Sequence, residues 1–186
     1  ADIRAGLHAA PGAELGYITR SYSPLGSENR TFFTEDNARR ADFLRGAIEQ
    51  ARTTQALTDD EYSFMVASLL VCTDRIANVA AVYGCFLKQF KASARQPLVL
   101  TPIHLQTKPA NLDSRVHNLD ATTPEFLLQA EGDIAYIDPP YNNRQYSKNY
   151  FPLAMLAKDP STLENEPALK GKTGIPEGCF ISQLCQ

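Results

Sequence analysis

Asp138, Pro139, Pro140 and Tyr141 close the apolar run that begins at Ile134. Each proline fixes its own φ and restricts the residue before it, so the Asp138 carboxylate is held with little backbone freedom. Pro139 has no N–H, which lets its carbonyl turn outward as an acceptor without disturbing a strand ladder. A carboxylate, a carbonyl acceptor and an aromatic face this close together suit a planar heterocycle bearing an exocyclic amino group. The two oxygens take its hydrogens, and the ring stacks on Tyr141.

Such a group needs a rigid platform. The preceding sequence predicts a short strand around Val116, a turn containing Asp120, a helix capped by Thr122 or Thr123 with Pro124 in its first turn, and a buried strand from Ile134 to Asp138. Strand, helix and strand in that order imply a right-handed crossover and a parallel sheet. Open α/β sheets bind ligands at the carboxyl ends of their strands, where Asp120 and Asp138 both fall. The stretch "PLVLTPIHL", interrupted by prolines, reads as an edge strand or a connector.

Farther upstream the pattern is helical. Thr34 precedes Glu35 and Asp36, and Phe43, Leu44, Ala47, Ile48 and Ala51 recur at helical spacing, predicting a helix over 35–52. Thr58 and Glu61 have the spacing of a capping box, opening a second helix that the apolar pattern carries to about Phe90, with a break at Gly84 as an option. Ala77, Ala80, Ala81 and Gly84 would give that helix a small-residue face for close packing or a ligand. Asn78, Tyr83 and Lys88 are either DNA contacts or solvated side chains. Residues 1–30 read mostly as loop, with one short extended piece at Gly16 to Thr19.

Composition bounds these readings. The 186 residues, 44% of them hydrophobic, suffice for one ordinary core with a small appended lobe. No run is apolar for the roughly 18 residues of a membrane span, and no signal peptide is legible, so the expected location is the cytoplasm. Cys72, Cys85, Cys179 and Cys185 show neither paired spacing nor a histidine cluster, which argues for reduced thiols and no metal site. The formal net charge of −3 carries no global basic signature, yet Arg75, Lys88, Lys91, Arg95 and Lys108 follow one another with no acid between them. That segment is either a local basic face or a solvated helix end.

The tetrad Asp138 to Tyr141 resembles the DPPY motif of S-adenosylmethionine-dependent amino methyltransferases. With Asn118 to Asp120 one crossover earlier and "YNNRQYSKNY" following, the chain is similar to the D12 class of adenine-specific DNA methyltransferases. The segments "SPLGSENRTFFTEDNARRAD" and "DRIANVAAVYGCFLKQFKASA" extend the resemblance from about Gly16 to the C-terminus. It implies S-adenosylmethionine as methyl donor, double-stranded DNA as partner, and transfer to N6 of an adenine flipped out of the duplex. Asp138 and the Pro139 carbonyl would accept from the N6 hydrogens, Tyr141 would stack on the base, and Pro140 would be structural. Asp120, with Asp138, would serve the cofactor; Asp120 reads equally well as a turn residue before Thr122. Arg144 and Lys148 would hold phosphates, while Gln145, Tyr146, Asn149 and Tyr150 fill the gap or touch neighbouring bases. The alternative for this loop is a solvated turn with tyrosines packed beneath. Lys88, Lys91 and Arg95 would be backbone contacts, and a restriction endonuclease is an implied partner.

The expected fold is therefore a partial Rossmann-like methyltransferase sheet with an inserted or adjoining helical recognition segment. Residues 1–34 would be a loop-rich lead, 35–97 the helical recognition region, and 98–186 part of the catalytic domain. The chain departs from the family pattern in lacking a glycine-rich FxGxG-like loop and in showing too few strands for a full sheet, so it is expected to be incomplete. Two other readings remain open at this level. One is a non-catalytic or partner-dependent DNA-binding subunit of a split methyltransferase; the other is a methyltransferase acting on RNA or on protein glutamine.

Overall fold

The computed structural model describes residues 15–105, 115–117, 119–130, 132–138, 146–165, 169 and 171–176. They fall into two compact units, one formed by Ala1–Ile103 with Arg144–Gln186 and the other by His104–Asn143.

The first unit is helical. Its α1 spans Tyr17–Tyr22, α2 Glu35–Thr53 and α3 Asp59–Arg75. Local rules start α2 and α3 where expected. Thr34 Oγ1 accepts from the Asn37 N–H at 3.3 Å, with Glu35 and Asp36 in the positive first turn. At α3 the capping box is complete: Glu61 Oε2 accepts from the Thr58 N–H at 2.8 Å, and Thr58 Oγ1 accepts from the Glu61 N–H at 3.3 Å. The Thr58 N–H, and after it the Thr58 hydroxyl, which also donates to Oε2 at 2.9 Å, hold the Glu61 carboxyl below its ordinary range. Thr58→Ala is expected to cost about 1 kcal/mol, measured as a lower denaturant midpoint at unchanged slope. Because the folded-state pKa is lowered, the Glu61 share is present at neutral pH and fades as the pH falls through that value.

Two local expectations are corrected. Gly16 to Thr19 is not extended; Tyr17 opens α1, because its orphan N–H groups find an acceptor in Asp42 of α2, a partner distant in sequence. The second helix ends at Arg75 instead of continuing to about Phe90. Asn78 is why. Fully buried, it donates from its backbone N–H to Phe32 O at 2.8 Å and from its side-chain amide to Thr31 O and Leu87 O, both at 2.9 Å. Its Oδ1 accepts from the Lys91 N–H at 3.0 Å and its carbonyl from the Leu87 N–H at 2.9 Å. Bonds of this kind offer the backbone an alternative to the helical ladder. Ala80, Ala81 and Gly84 are consequently exposed and non-helical, and only Ala77 is buried, so no small-residue helix face forms.

The "PLVLTPIHL" stretch is a connector. Side chains of α2 and α3 satisfy its backbone donors: Leu98 N–H to Asn37 Oδ1 at 2.8 Å, Thr101 N–H to Cys72 Sγ at 3.3 Å and Ile103 N–H to Ser68 Oγ at 3.1 Å. A further helix, the fifth in chain order, spans Tyr146–Ala157, with non-helical angles at Tyr150. Pro152 accounts for the break, since it lacks the donor for the carbonyl four residues back and its ring crowds that carbonyl. Tyr22, Phe32, Tyr83 and Phe151 form the centre of the core with the partly buried Phe86 packed against it, ring centroids lying 5.0–6.0 Å apart in edge, tilted and stacked pairs.

In the second unit the fourth helix, α4, spans Pro124–Gln129, with Thr123 as N-cap and proline in the first turn as the sequence predicts; the fifth helix is α5. The Rossmann-like parallel sheet is overturned: no strand occurs among the described residues. Val116 is 98% exposed, and Ile134, Tyr136 and Ile137 are 91%, 91% and 80% exposed. A strand is stabilised by neighbouring ladders and by burial of at least one face. The run 134–138 has neither among the described residues, so its apolar β-propensity is not expressed.

Candidate functional site

Two carboxylates of the second unit are sequence candidates. Asp138 ends the run 134–138 and is exposed; Pro139, Pro140 and Tyr141 lie outside the described residues, as do Arg144 and Gln145. Asp120 is exposed in a turn before α4. Its Oδ1 accepts from the Thr122 N–H at 2.9 Å and from Thr122 Oγ1 at 2.7 Å, while its carbonyl accepts from Thr123 Oγ1 at 2.8 Å. These donors, the backbone one foremost, hold the Asp120 carboxyl below its ordinary range. It is thus an ionised acceptor at neutral pH whose position is set by the cap of α4.

The first unit sorts the remaining sequence candidates by burial. Asn78 and Tyr83 are each 0% exposed, which removes both from direct contact with an external ligand and gives them scaffold work. Tyr83 donates its phenol to Asp74 Oδ1 at 2.9 Å. Burial first, and then the Asp74 charge, push that phenol above its ordinary pKa, so it stays a donor. Lys91 is half-buried and donates from Nζ to Val79 O at 2.7 Å. Lys88 and Arg95 are exposed, the latter in the short 3-10 turn Ser93–Arg95. That turn is fastened to α2 by the Asn37 amide, which donates to Ala94 O and Gln96 O at 3.1 and 2.8 Å. Of the loop after the tetrad, Tyr146 opens α5, Lys148 and Asn149 are half-buried and Tyr150 is 40% exposed. Tyr83 and this loop are joined: the Tyr83 N–H donates to Asn149 O at 2.8 Å, and the Tyr83 and Tyr150 rings lie 6.5 Å apart.

Sequence reasoning missed a cleft of about 430 Å³ whose lining includes Gly16, Arg20, Asp42, Arg45 and Leu156. Asp42 accepts there from the Ile18 N–H at 3.0 Å, the Thr19 N–H at 2.8 Å and Thr19 Oγ1 at 2.5 Å. Arg45, 2% exposed, donates to Leu156 O, Glu49 Oε2 and the Tyr62 phenol at 3.1, 2.9 and 2.7 Å. Arg30 is likewise buried, donating to Ser21 O and Lys172 O at 3.0 Å each, and burial lowers its pKa. The only sequence signal for these three was a charged residue among apolar neighbours, which does not name a distant partner. Among the described residues no cluster of His, Cys, Asp and Glu could hold a metal ion.

A family model for D12 class N6 adenine-specific DNA methyltransferases matches residues 16–167. Type II methyltransferase M.CviAII of Paramecium bursaria Chlorella virus 1 is 43% identical over 162 residues, covering 87% of this chain and 45% of that protein. Type II methyltransferase M.NlaIII of Neisseria lactamica is 37% identical over 162 residues, covering 87% and 46%. Type II methyltransferase M.FokI of Planomicrobium okeanokoites is 32% identical over 159 residues, covering 86% and 23%. The chain thus spans about half the length of the first two of these curated relatives and less of the third. No solved structure matches it.

Proposed function

The chain belongs to the D12 class N6 adenine-specific DNA methyltransferase family, and on that premise we propose that the whole protein transfers a methyl group from S-adenosylmethionine to N6 of an adenine in double-stranded DNA. The observation that carries this reading is the family match over residues 16–167, which contains the tetrad Asp138 to Tyr141.

The amino group of a stacked, paired adenine is out of reach, so the base leaves the duplex first. Asp138 and the Pro139 carbonyl accept its two N6 hydrogens and direct the nitrogen lone pair away from the ring; Tyr141 supports the face of the base and Pro140 fixes the turn. When bound, S-adenosylmethionine supplies an electrophilic methyl carbon on a sulfonium leaving group. The tetrad contributes alignment and negative charge next to a nitrogen that becomes positive. The exposed, ionised Asp120 fits as an acceptor at the cofactor's adenine end. Lys88, Arg95 and Lys148, with Arg144, neutralise phosphates; Gln145, Tyr146 and Asn149 serve the nucleotides beside the target. Residues 35–97 form the recognition region and 98–186 part of the catalytic domain. No helix among the described residues is long and apolar enough to cross a membrane, and the proposed setting is the cytoplasm, alongside a restriction endonuclease.

The test is transfer of labelled methyl from S-adenosylmethionine to mixed-sequence duplex DNA by the full-length protein, with digestion to nucleosides. Label in N6-methyladenosine is expected. Retained DNA binding without incorporation would replace this reading with a binding subunit, and label only in RNA or in protein glutamine would replace the substrate.

A further inference from the structure

The segment that follows the tetrad is anchored from an unexpected side. Tyr150 interrupts α5 with φ −133° and ψ 19°, so the backbone leaves helical geometry there. Tyr150 is 40% exposed, and its ring meets that of the fully buried Tyr83 at a tilt of 58°, 6.5 Å between centroids. Tyr83 is itself fixed in three ways. Its phenol is bound to Asp74, its ring stacks on Phe32 at 6.0 Å, and its N–H holds the carbonyl of Asn149, the residue before Tyr150. An exposed tyrosine on a mobile loop would lose rotamer and backbone freedom on meeting a ligand, whereas one whose preceding carbonyl is bonded and whose ring already meets a fixed neighbour has less to lose.

We infer that Tyr150 is a stacking surface for a nucleobase and that Tyr83 is the positioning residue that presents it. The inference rests on the proposed action on DNA and deepens it. It also replaces a direct contact by Tyr83 with an indirect one, and it assigns to Tyr150 the ring face of a base, not a phosphate. A ring face accepts any base, so the contribution is affinity for an unstacked nucleotide, without sequence discrimination.

The experiment compares the full-length protein's affinity for a single-stranded oligodeoxyadenylate with that for an abasic strand of equal length and charge. Tyr150→Leu, similar in apolar bulk but without the ring, is expected to weaken binding to the adenine-bearing strand roughly tenfold and leave the abasic strand unchanged. Tyr150→Phe, which restores the ring, is expected to bind both strands within about twofold of wild type. Tyr83→Leu should reproduce the Tyr150→Leu loss, and the double variant should lose no more than either alone, because the two residues act as one unit. Tyr83→Phe keeps the ring and gives up only the Asp74 bond; it should melt lower yet retain the preference for the adenine-bearing strand. Unchanged preference in Tyr150→Leu overturns the stacking role. Full additivity of the two leucine variants, or loss of the preference in Tyr83→Phe, overturns the positioning role. None of these readouts requires methyl transfer, so an inactive wild-type protein would defeat the proposed reaction without deciding this inference.

Discussion

Asp138→Ala in the full-length protein is expected to lower methyl transfer by roughly 10²- to 10³-fold, the loss typical when one preorganised electrostatic partner of a reacting group is removed. Its melting temperature should stay essentially where it was. The two expectations come from different observations. The catalytic loss follows from the proposed tetrad chemistry, in which one carboxylate would both orient the amino group and offset its developing charge. The stability expectation follows from exposure: Asp138 and its upstream neighbours 132–137 are all exposed, so truncation empties no packed space. Asp138→Asn sharpens the comparison. Its amide oxygen still accepts a hydrogen bond, but the charge is gone, so its rate should fall between wild type and alanine with substrate affinity nearly kept. Wild-type turnover in Asp138→Ala would end the catalytic assignment, and gross unfolding would mark Asp138 as structural.

What the sequence made legible was what short-range chemistry decides. The caps at Thr34, Thr58 and Thr123 were readable because donor and acceptor sit three residues apart. The tetrad stands out in the sequence as a motif, and the family match spans it, but Pro139 to Tyr141 lie outside the described residues. What remained illegible depended on partners distant in the chain. Nothing near Asn78 announces that its amide will bind carbonyls at Thr31 and Leu87, so the apolar period reads as a helix to about Phe90, with Gly84 and not Asn78 as the optional break. Tyr83 looked like a surface contact for the same reason: its partners Asn149 and Tyr150 lie far along the sequence. The sheet failed in the opposite direction. Residues 134–138 have the composition of a buried strand, but composition expresses a preference for a pleated, covered surface and does not supply one. Among the described residues that cover is absent, and the same residues are exposed.

The largest expected stability effect lies at the link between α1 and α2, where the sequence offered no warning. Asp42 stands in for the N-cap that α1 lacks, since Gly16 has no side chain to cap with. Asp42→Ala leaves the Ile18 and Thr19 N–H groups and the Thr19 hydroxyl without their acceptor, in a place where Ile18 and Thr19 are each 1% exposed. A loss of roughly 3 kcal/mol is expected, a large share of a typical domain's stability. Gly16→Ala should do similar damage by another route. Its φ of −62° suits any residue, so backbone strain cannot be the cause, and alanine would otherwise stabilise slightly by restricting the unfolded chain. A Cβ there would sit 2.4 Å from Asp42 Cγ, which forces the carboxylate off the helix end. In an Asp42→Ala background the same substitution should therefore turn neutral or mildly stabilising, a coupling readable from denaturant midpoints in a double-mutant cycle. Burial, outweighing the three hydrogen bonds, raises the Asp42 pKa above its ordinary 3.8. Between that value and the raised one the folded state holds the extra proton, so stability from this group is fullest below the window and declines as the pH rises through it. The midpoint gap between wild type and Asp42→Ala should narrow from acid to neutral pH; a gap that widens would mean the bonds outweigh burial after all.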